Sequence, residues 1–240
     1  MKLYDKIINE TLDALNEVSQ GKVKKYPYSG SLAWKDLGNS EFIMQRDAAL
    51  EIGGGGCPSV NYTLVTTSGI ITEDEIVVCG SDINEIKGDC AFARIVILET
   101  GDLGEDSDQE KAFQAIRNLE FVRYHVFPEG YMVRVSAQSN QEQIRLSKEA
   151  LKKGISFAKV GSLYIKKYKE LPEVKNVRII FITEKAVVEK LLPNADKVDA
   201  ITKTLTHILD GMPTDCGHCS MKPVCDEVDG MRELHLGKKH

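Results

Sequence analysis

The sequence lacks the features of a membrane-spanning or exported protein. No segment approaches the 18 or so consecutive apolar residues that a transmembrane helix needs. The first residues run directly into an amphipathic pattern, without the apolar stretch and small-residue cleavage site of a signal peptide. We therefore expect a soluble, cytoplasmic protein that makes no membrane contact.

The sequence also lacks an excess of positive charge. Its net charge is −5, and its one basic cluster, residues 22–25, is short. Nucleic-acid-binding domains carry an extended basic patch, so we expect no nucleic acid partner. No Ser–His–Asp order or carboxylate pair stands out, which leaves no case for a hydrolase.

The distribution of the six cysteines favours metal ligation over disulfides. Disulfide-stabilised domains are exported and have small cores, whereas this chain has no export signal and is 42% hydrophobic. Three cysteines fall within ten residues near the C-terminus, and the other three are scattered along the chain: Cys57, Cys79 and Cys90.

Hydrophobic periodicity predicts a fold in which strands come first and then alternate with helices. Strand patterns cover residues 60–67, 76–79, 91–98, 131–135 and 177–183. Helical patterns cover residues 3–18, 109–122, 142–153 and 157–171, and a last helix starts at an Asn194 cap and stops at Gly211. We expect an α/β or α+β fold, with a mixed sheet covered by helices and a short C-terminal cysteine-rich metal-binding tail. The predicted boundaries are an N-terminal helix and linker over residues 1–40, the core over 41–211 and the tail over 212–240.

A run of four glycines, residues 53–56, precedes Cys57. It lacks the Lys-Ser/Thr of a P-loop and the spacing of a dinucleotide fingerprint, so a tight turn between strands is the better interpretation than a phosphate cradle.

The strongest motif is a cysteine triad in the tail, formed by Cys216, Cys219 and Cys225. A Cys-x2-Cys pair directs two thiolates at one metal or cluster, and the third cysteine can close over the same site. Soft thiolates select zinc or iron–sulfur clusters. A zinc site requires four ligands, and His218 or His235 could supply the fourth. A [4Fe-4S] cubane takes four cysteines, or three with one iron open or otherwise held; Cys57, after its flexible glycine run, is our candidate for the fourth thiolate.

Two other interpretations of the triad are weaker. Three thiols without a metal would not need to lie this close together, with Gly217 and Pro223 next to them in the sequence. Redox exchange by a dithiol requires the cysteine pair at a helix N-terminus after a strand. Here a predicted helix and Met212-Pro213 precede the pair, and a third cysteine would interfere.

The chain resembles the beta subunit of the carbon monoxide dehydrogenase/acetyl-CoA synthase complex over roughly residues 45–225. The order and spacing of several stretches carry the likeness: residues 48–60 around the glycine run, Glu75-Ile76-Val77-Val78-Cys79-Gly80-Ser81-Asp82-Ile83, Arg145-Leu146-Ser147-Lys148-Glu149-Ala150 with Lys153-Gly154 and Val160-Gly161, and Val177-Arg178-Ile179-Ile180-Phe181-Ile182-Thr183. Together they are similar to the region that precedes and begins the family's nickel–iron–sulfur cluster motif.

The resemblance implies a [4Fe-4S] cluster at the tail. Cys216 and Cys219 match the family's first pair, and Cys225 matches its third cysteine with a shortened spacer. The family also has a fourth cysteine and a later Cys-Gly-Cys that holds the outer nickel. This sequence has no counterpart of either before His240, so we do not expect complete acetyl-CoA synthase activity.

We therefore expect an iron–sulfur protein that acts in electron transfer, or as an accessory to anaerobic one-carbon or corrinoid metabolism, with a protein partner in such a complex. It could serve as an oxidoreductase component. One alternative is an enzyme that uses an open iron site of the cluster. Another is a zinc-stabilised module for protein interaction. The sequence also allows a homo-oligomer.

Overall fold

The computed structural model describes residues 3–18, 20–29, 32–103, 109–135 and 141–210, together with His218 and Lys222. The helices are α1 (Asp5–Asn16), α2 (Gln109–Phe121), α3 (Lys148–Lys152), α4 (Phe157–Tyr168) and α5 (Lys185–Leu209). The strands are β1 (Val23–Pro27), β2 (Ala48–Ile52), β3 (Ser59–Thr66), β4 (Glu75–Cys79), β5 (Phe92–Thr100), β6 (Tyr131–Val135), β7 (Glu142–Ser147) and β8 (Val174–Ile182). None of the helices in this part of the chain combines the length and apolar character needed to cross a bilayer.

The larger sheet is mixed and has the strand order β1-β4-β8-β5-β3. β4 pairs parallel with β8 and β3 pairs parallel with β5, while β1–β4 and β8–β5 are antiparallel. Every residue of β4 and of β5 is buried. A strand that is covered on both faces carries a continuous apolar run, which is why these segments were recognisable in the sequence.

Different helices cover the two faces of this sheet. On one face α4 packs against β4 and β8, and its Gly161 lies directly over Ile76 and Ile179. On the other face α1 and α5 pack together, and α5 contacts β3. There the hydroxyl groups of Thr11 in α1 and Tyr62 in β3 are 3.0 Å apart in a buried hydrogen bond.

The smaller sheet is antiparallel and has the order β2-β7-β6. Its central strand, β7, pairs with β2 on one side and with β6 on the other. Ile144 and Leu146 of β7 are fully buried in the same apolar core as the larger sheet. The structure therefore confirms a mixed α/β fold whose larger sheet is covered by helices.

Two of the predicted elements are wrong in part. Residues 142–147 form a strand, and only the short α3 follows where a helix over 142–153 was predicted. The pairing of β7 with the preceding strand β6 and with the distant β2 overrides its local helical pattern. The last helix does not start at Asn194 but at Lys185, and it continues through Pro193. Asn194 is buried inside α5 against the Tyr62 hydroxyl, so a tertiary contact explains this residue and capping does not.

Candidate metal-binding site

Cys57 lies at the end of the glycine run, in the tight turn that connects β2 to β3. Gly55 and Gly56 have φ values of +53° and +91°, which lie in a backbone region that residues other than glycine rarely adopt. The turn is closed by a hydrogen bond of 2.6 Å from the Cys57 N–H to the Gly54 carbonyl. The predicted turn is therefore confirmed, and it holds a half-buried thiol.

A second loop, which leads into β5, packs against this turn through Asp89 and Cys90. The Gly54 N–H donates to Asp89 Oδ1 at 3.1 Å, and the Gly53 N–H donates to the Cys90 carbonyl at 2.9 Å. A Cβ atom on Gly55 would lie 2.6 Å from Asp89 Oδ2. Glycine is thus needed at position 55 both for its backbone angle and for the close approach of this carboxylate.

The two loops bring Cys57 and Cys90 to equivalent places before neighbouring strands. In the parallel pair, Ser59 of β3 lies opposite Phe92 of β5, and the Phe92 N–H donates to the Pro58 carbonyl at 3.1 Å. Cys57 and Cys90 each lie in a loop two residues before these first paired residues, and the two thiols are near enough to interact electrostatically. Both thiols are free and half-buried.

Burial is the main cause that raises the pKa of the Cys90 thiol, which reaches about 11. The negative charge of Asp89 and the neighbouring Cys57 raise this pKa further. Cys90 is therefore a neutral thiol at pH 7. Because its surroundings oppose a negative charge, Cys90 is poorly suited to act as a free thiolate nucleophile.

The other predicted ligands lie outside the described residues: Cys216, Cys219, Cys225 and His235. Of this tail the structure describes only His218 and Lys222, both of them exposed. Over the part of the chain that is described, no three His, Cys, Asp or Glu side chains form a group that could hold a metal ion. The predicted cluster site thus stays a prediction, of which the structure places Cys57 alone.

Sequence reasoning missed Cys90 as a functional candidate. In the observed strands Cys57 and Cys90 each stand two residues before a strand, but the strands predicted from residues 60 and 91 do not show this common spacing. It becomes meaningful only once β3 and β5 are known to be parallel neighbours, and that pairing joins segments more than 30 residues apart.

A buried ion pair joins the two sheets close to these loops. Arg94 of β5 is fully buried, and its Nη2 donates to both carboxylate oxygens of Glu142 at 2.9 and 2.8 Å. Asn61 of β3 donates to Glu142 and accepts from Arg94, and the Tyr164 hydroxyl accepts from Arg94 Nη1. Sequence reasoning did not detect this network, since its members come from distant segments.

In this network the effect of burial on the pKa of Arg94 is opposed by the effect of its charged partner Glu142. Burial alone would lower the pKa of Arg94, but Glu142 and the nearby tyrosines together raise it above its ordinary value. Burial also raises the pKa of Tyr164, so its hydroxyl stays protonated. The network therefore consists of a charged pair whose polar atoms find partners, an arrangement that suits a structural role.

The fold and the two loops define a mixed α/β domain with two free thiols in the neighbouring loops that lead into the parallel strands β3 and β5. A family model described as the CO dehydrogenase/acetyl-CoA synthase complex beta subunit matches residues 35–188. Since the match covers more than half of the chain, the chain belongs to this family, and the resemblance seen in the sequence is confirmed.

Two relatives show how much of a family member this chain represents. It is 27% identical over 179 residues to the acetyl-CoA decarbonylase/synthase complex subunit beta of Archaeoglobus fulgidus, covering 72% of this chain and 32% of the relative. It is 25% identical over 191 residues to the carbon monoxide dehydrogenase/acetyl-CoA synthase subunit alpha of Moorella thermoacetica, covering 79% of this chain and 25% of the relative. The matched region thus spans between a quarter and a third of the length of these relatives.

Proposed function

We propose that this chain binds a [4Fe-4S] cluster through Cys216, Cys219 and Cys225, with Cys57 or His235 as the candidate fourth ligand. The observation that carries the proposal is the Cys-x2-Cys-x5-Cys triad, which follows an α/β domain of this family in the sequence. Thiolates are the ligands that such cubanes take. Cys57 fits this donor set, because it is a half-buried thiol on a loop at the end of the sheet.

The role we propose is electron transfer, or an accessory function, in an anaerobic one-carbon or corrinoid-dependent system in the cytoplasm. Both relatives carry names of subunits, one of them a subunit of a named complex, which supports a protein partner for this chain. A cluster bound by cysteines supplies a one-electron carrier whose potential depends on hydrogen bonds to its sulfurs and on its exposure. The protein would position that carrier against the partner.

Metal analysis with electron paramagnetic resonance of anaerobically purified protein tests this proposal. We expect about four irons per chain and a cubane signal on reduction. The Cys219→Ala variant should lose the signal or change it, because a ligand is removed. The matched control is Ser220→Ala, which alters the neighbouring residue without removing a thiolate and should leave the iron content unchanged.

The same experiment separates the alternatives. One zinc per chain and no iron would overturn the cluster and favour a zinc-stabilised interaction module, which would be colourless and redox-silent. If the iron is present, Cys57→Ala and His235→Ala identify the fourth ligand by the change in the signal. An unchanged signal in both variants would favour a cluster in which one iron has no protein ligand and can bind substrate, and thus an enzymatic role.

A further inference from the structure

We infer that Cys57 and Cys90 form a second metal site, separate from the tail triad, that binds one soft monovalent cation such as Cu(I) through two thiolates. This inference goes beyond the proposed function and does not rest on it. The tail triad is defined by sequence spacing alone, whereas this pair is defined by the fold. A single chain cannot use Cys57 for both sites, so the inference leaves the fourth position of the proposed cluster to His235.

The first support is the geometry of the parallel strands. Neighbouring strands lie ~4.8 Å apart, and the pairing of β3 with β5 begins at Ser59 and Phe92. Cys57 and Cys90 each stand two residues before this first pair, in loops that the hydrogen bond from the Gly53 N–H to the Cys90 carbonyl joins. From these neighbouring loops the two thiols can turn towards one ion.

The second support is that the backbone of both cysteines is fixed. The Cys57 N–H is bonded to Gly54, and the Cys90 carbonyl accepts from Gly53. The Gly54 N–H donates to Asp89 Oδ1 at 3.1 Å, which joins the turn to the second loop. A site whose ligands are already positioned loses little conformational freedom when it binds an ion.

The third support is the softness of the two ligands. Thiolates are soft ligands that select copper(I), zinc and iron–sulfur clusters. Zinc requires four ligands, whereas two thiolates complete the coordination of Cu(I). Binding would release one proton from each thiol and change no oxidation state.

The test uses the full-length chain with Cys216, Cys219 and Cys225 all replaced by serine, which removes the tail triad and keeps Cys57, Cys79 and Cys90. The reduced protein is titrated anaerobically with Cu(I) in competition with a chromogenic copper chelator. We expect one Cu(I) per chain and, by X-ray absorption, two sulfur neighbours. Cys57→Ser and Cys90→Ser should each weaken binding by more than the ~10–100-fold that loss of a supporting residue costs.

The matched control is Cys79→Ala, which removes the remaining cysteine, buried in β4, and should leave the affinity unchanged. Circular dichroism confirms that each variant is folded. Equal Cu(I) affinity in all variants, or binding that disappears with the triad alone, would overturn the inference. A Cys57–Cys90 disulfide that forms in preference to metal binding, seen as a mass lower by two hydrogens, would overturn it as well. None of these results bears on the iron content of the wild type, so the two proposals fail separately.

Discussion

Arg94 is the most deeply buried charged residue of the domain, and its position explains why Glu142 is buried too. Removing an isolated charge from water costs several kcal/mol, and a partner with good geometry offsets that cost. Here Glu142 receives two hydrogen bonds from Arg94, and Asn61 and Tyr164 bind the remaining polar atoms. Each residue of the pair thus depends on the other.

Replacing Glu142 by glutamine should lower the free energy of unfolding by about 3–5 kcal/mol, because Arg94 would remain buried without a counter-charge. The double variant Arg94→Met/Glu142→Leu should be less destabilised than Glu142→Gln, since it removes both charges. Urea denaturation followed by circular dichroism measures both changes. Lys185→Met is the control: it breaks the exposed Lys185–Glu189 pair, and we expect a change of less than about 1 kcal/mol. An equally small effect of Glu142→Gln would contradict the structural role of the network.

At the residue scale, the sequence predicted what depends on local spacing and missed what depends on pairing. The turn before Cys57 follows from four consecutive glycines, and the structure confirms it. Cys90 and Asp89 have no distinctive neighbours in the sequence, and only the register of β3 against β5 brings them to Cys57. Arg94 is similar, because a single arginine inside an apolar run gives no indication of its partner Glu142.

At the element scale, long apolar segments were predictable and short or strongly paired ones were not. The sequence places β6 at residues 131–135, where the structure has it, and it finds β4, β5 and β8 to within a few residues. It missed β1, which is half-exposed, and β2, in which only Leu50 and Ile52 are buried. The error over 142–153 has a local signal that could correct it: Ser147 accepts from the Ala150 N–H and caps α3, so the helix begins only there.

The contact of α4 with the larger sheet depends on the absence of a side chain at Gly161. A Cβ at this position would lie 2.8 Å from Ile76 Cγ2 and 3.1 Å from Ile179 Cγ2, two fully buried side chains. The strands β4 and β8 and the helix are therefore in close contact at this point. Glycine otherwise weakens a helix interior, so its presence here has a packing explanation.

Gly161→Val should destabilise the domain by about 1–3 kcal/mol, the usual cost of overpacking a core, although valine is a better helix former than glycine. Thermal or urea unfolding measures the change. The control on the same helix is Lys166→Ala, which removes an exposed side chain and should stay within ~0.5 kcal/mol of the wild type. A stabilised Gly161→Val variant would mean that α4 can move away from the sheet at little cost.

At the scale of the whole molecule, the two sheets share one apolar core. The first of its buried residues is Leu3, just before α1, and the last is Leu205 in α5. The set includes strand residues of both sheets. The Arg94–Glu142 pair adds a polar link between the same two sheets. The family match over residues 35–188 falls inside this stretch, so the part of the chain that is recognisably related is also the part that supplies most of the core.

This organisation predicts that the metal proposed for the tail does not stabilise the core. Serine at positions 216, 219 and 225 should leave the urea midpoint of the main unfolding transition unchanged, because the buried residues that the structure describes, from Leu3 to Leu205, already pack against one another in one core. Ile179→Ala is the control that the assay senses the core, with an expected loss of about 2–5 kcal/mol. Metal binding contributes to stability only where its ligands are ordered by it. A clear loss of core stability in the triple variant would therefore mean that a residue of the described domain shares the metal, and Cys57 is the candidate that the sequence offers for it.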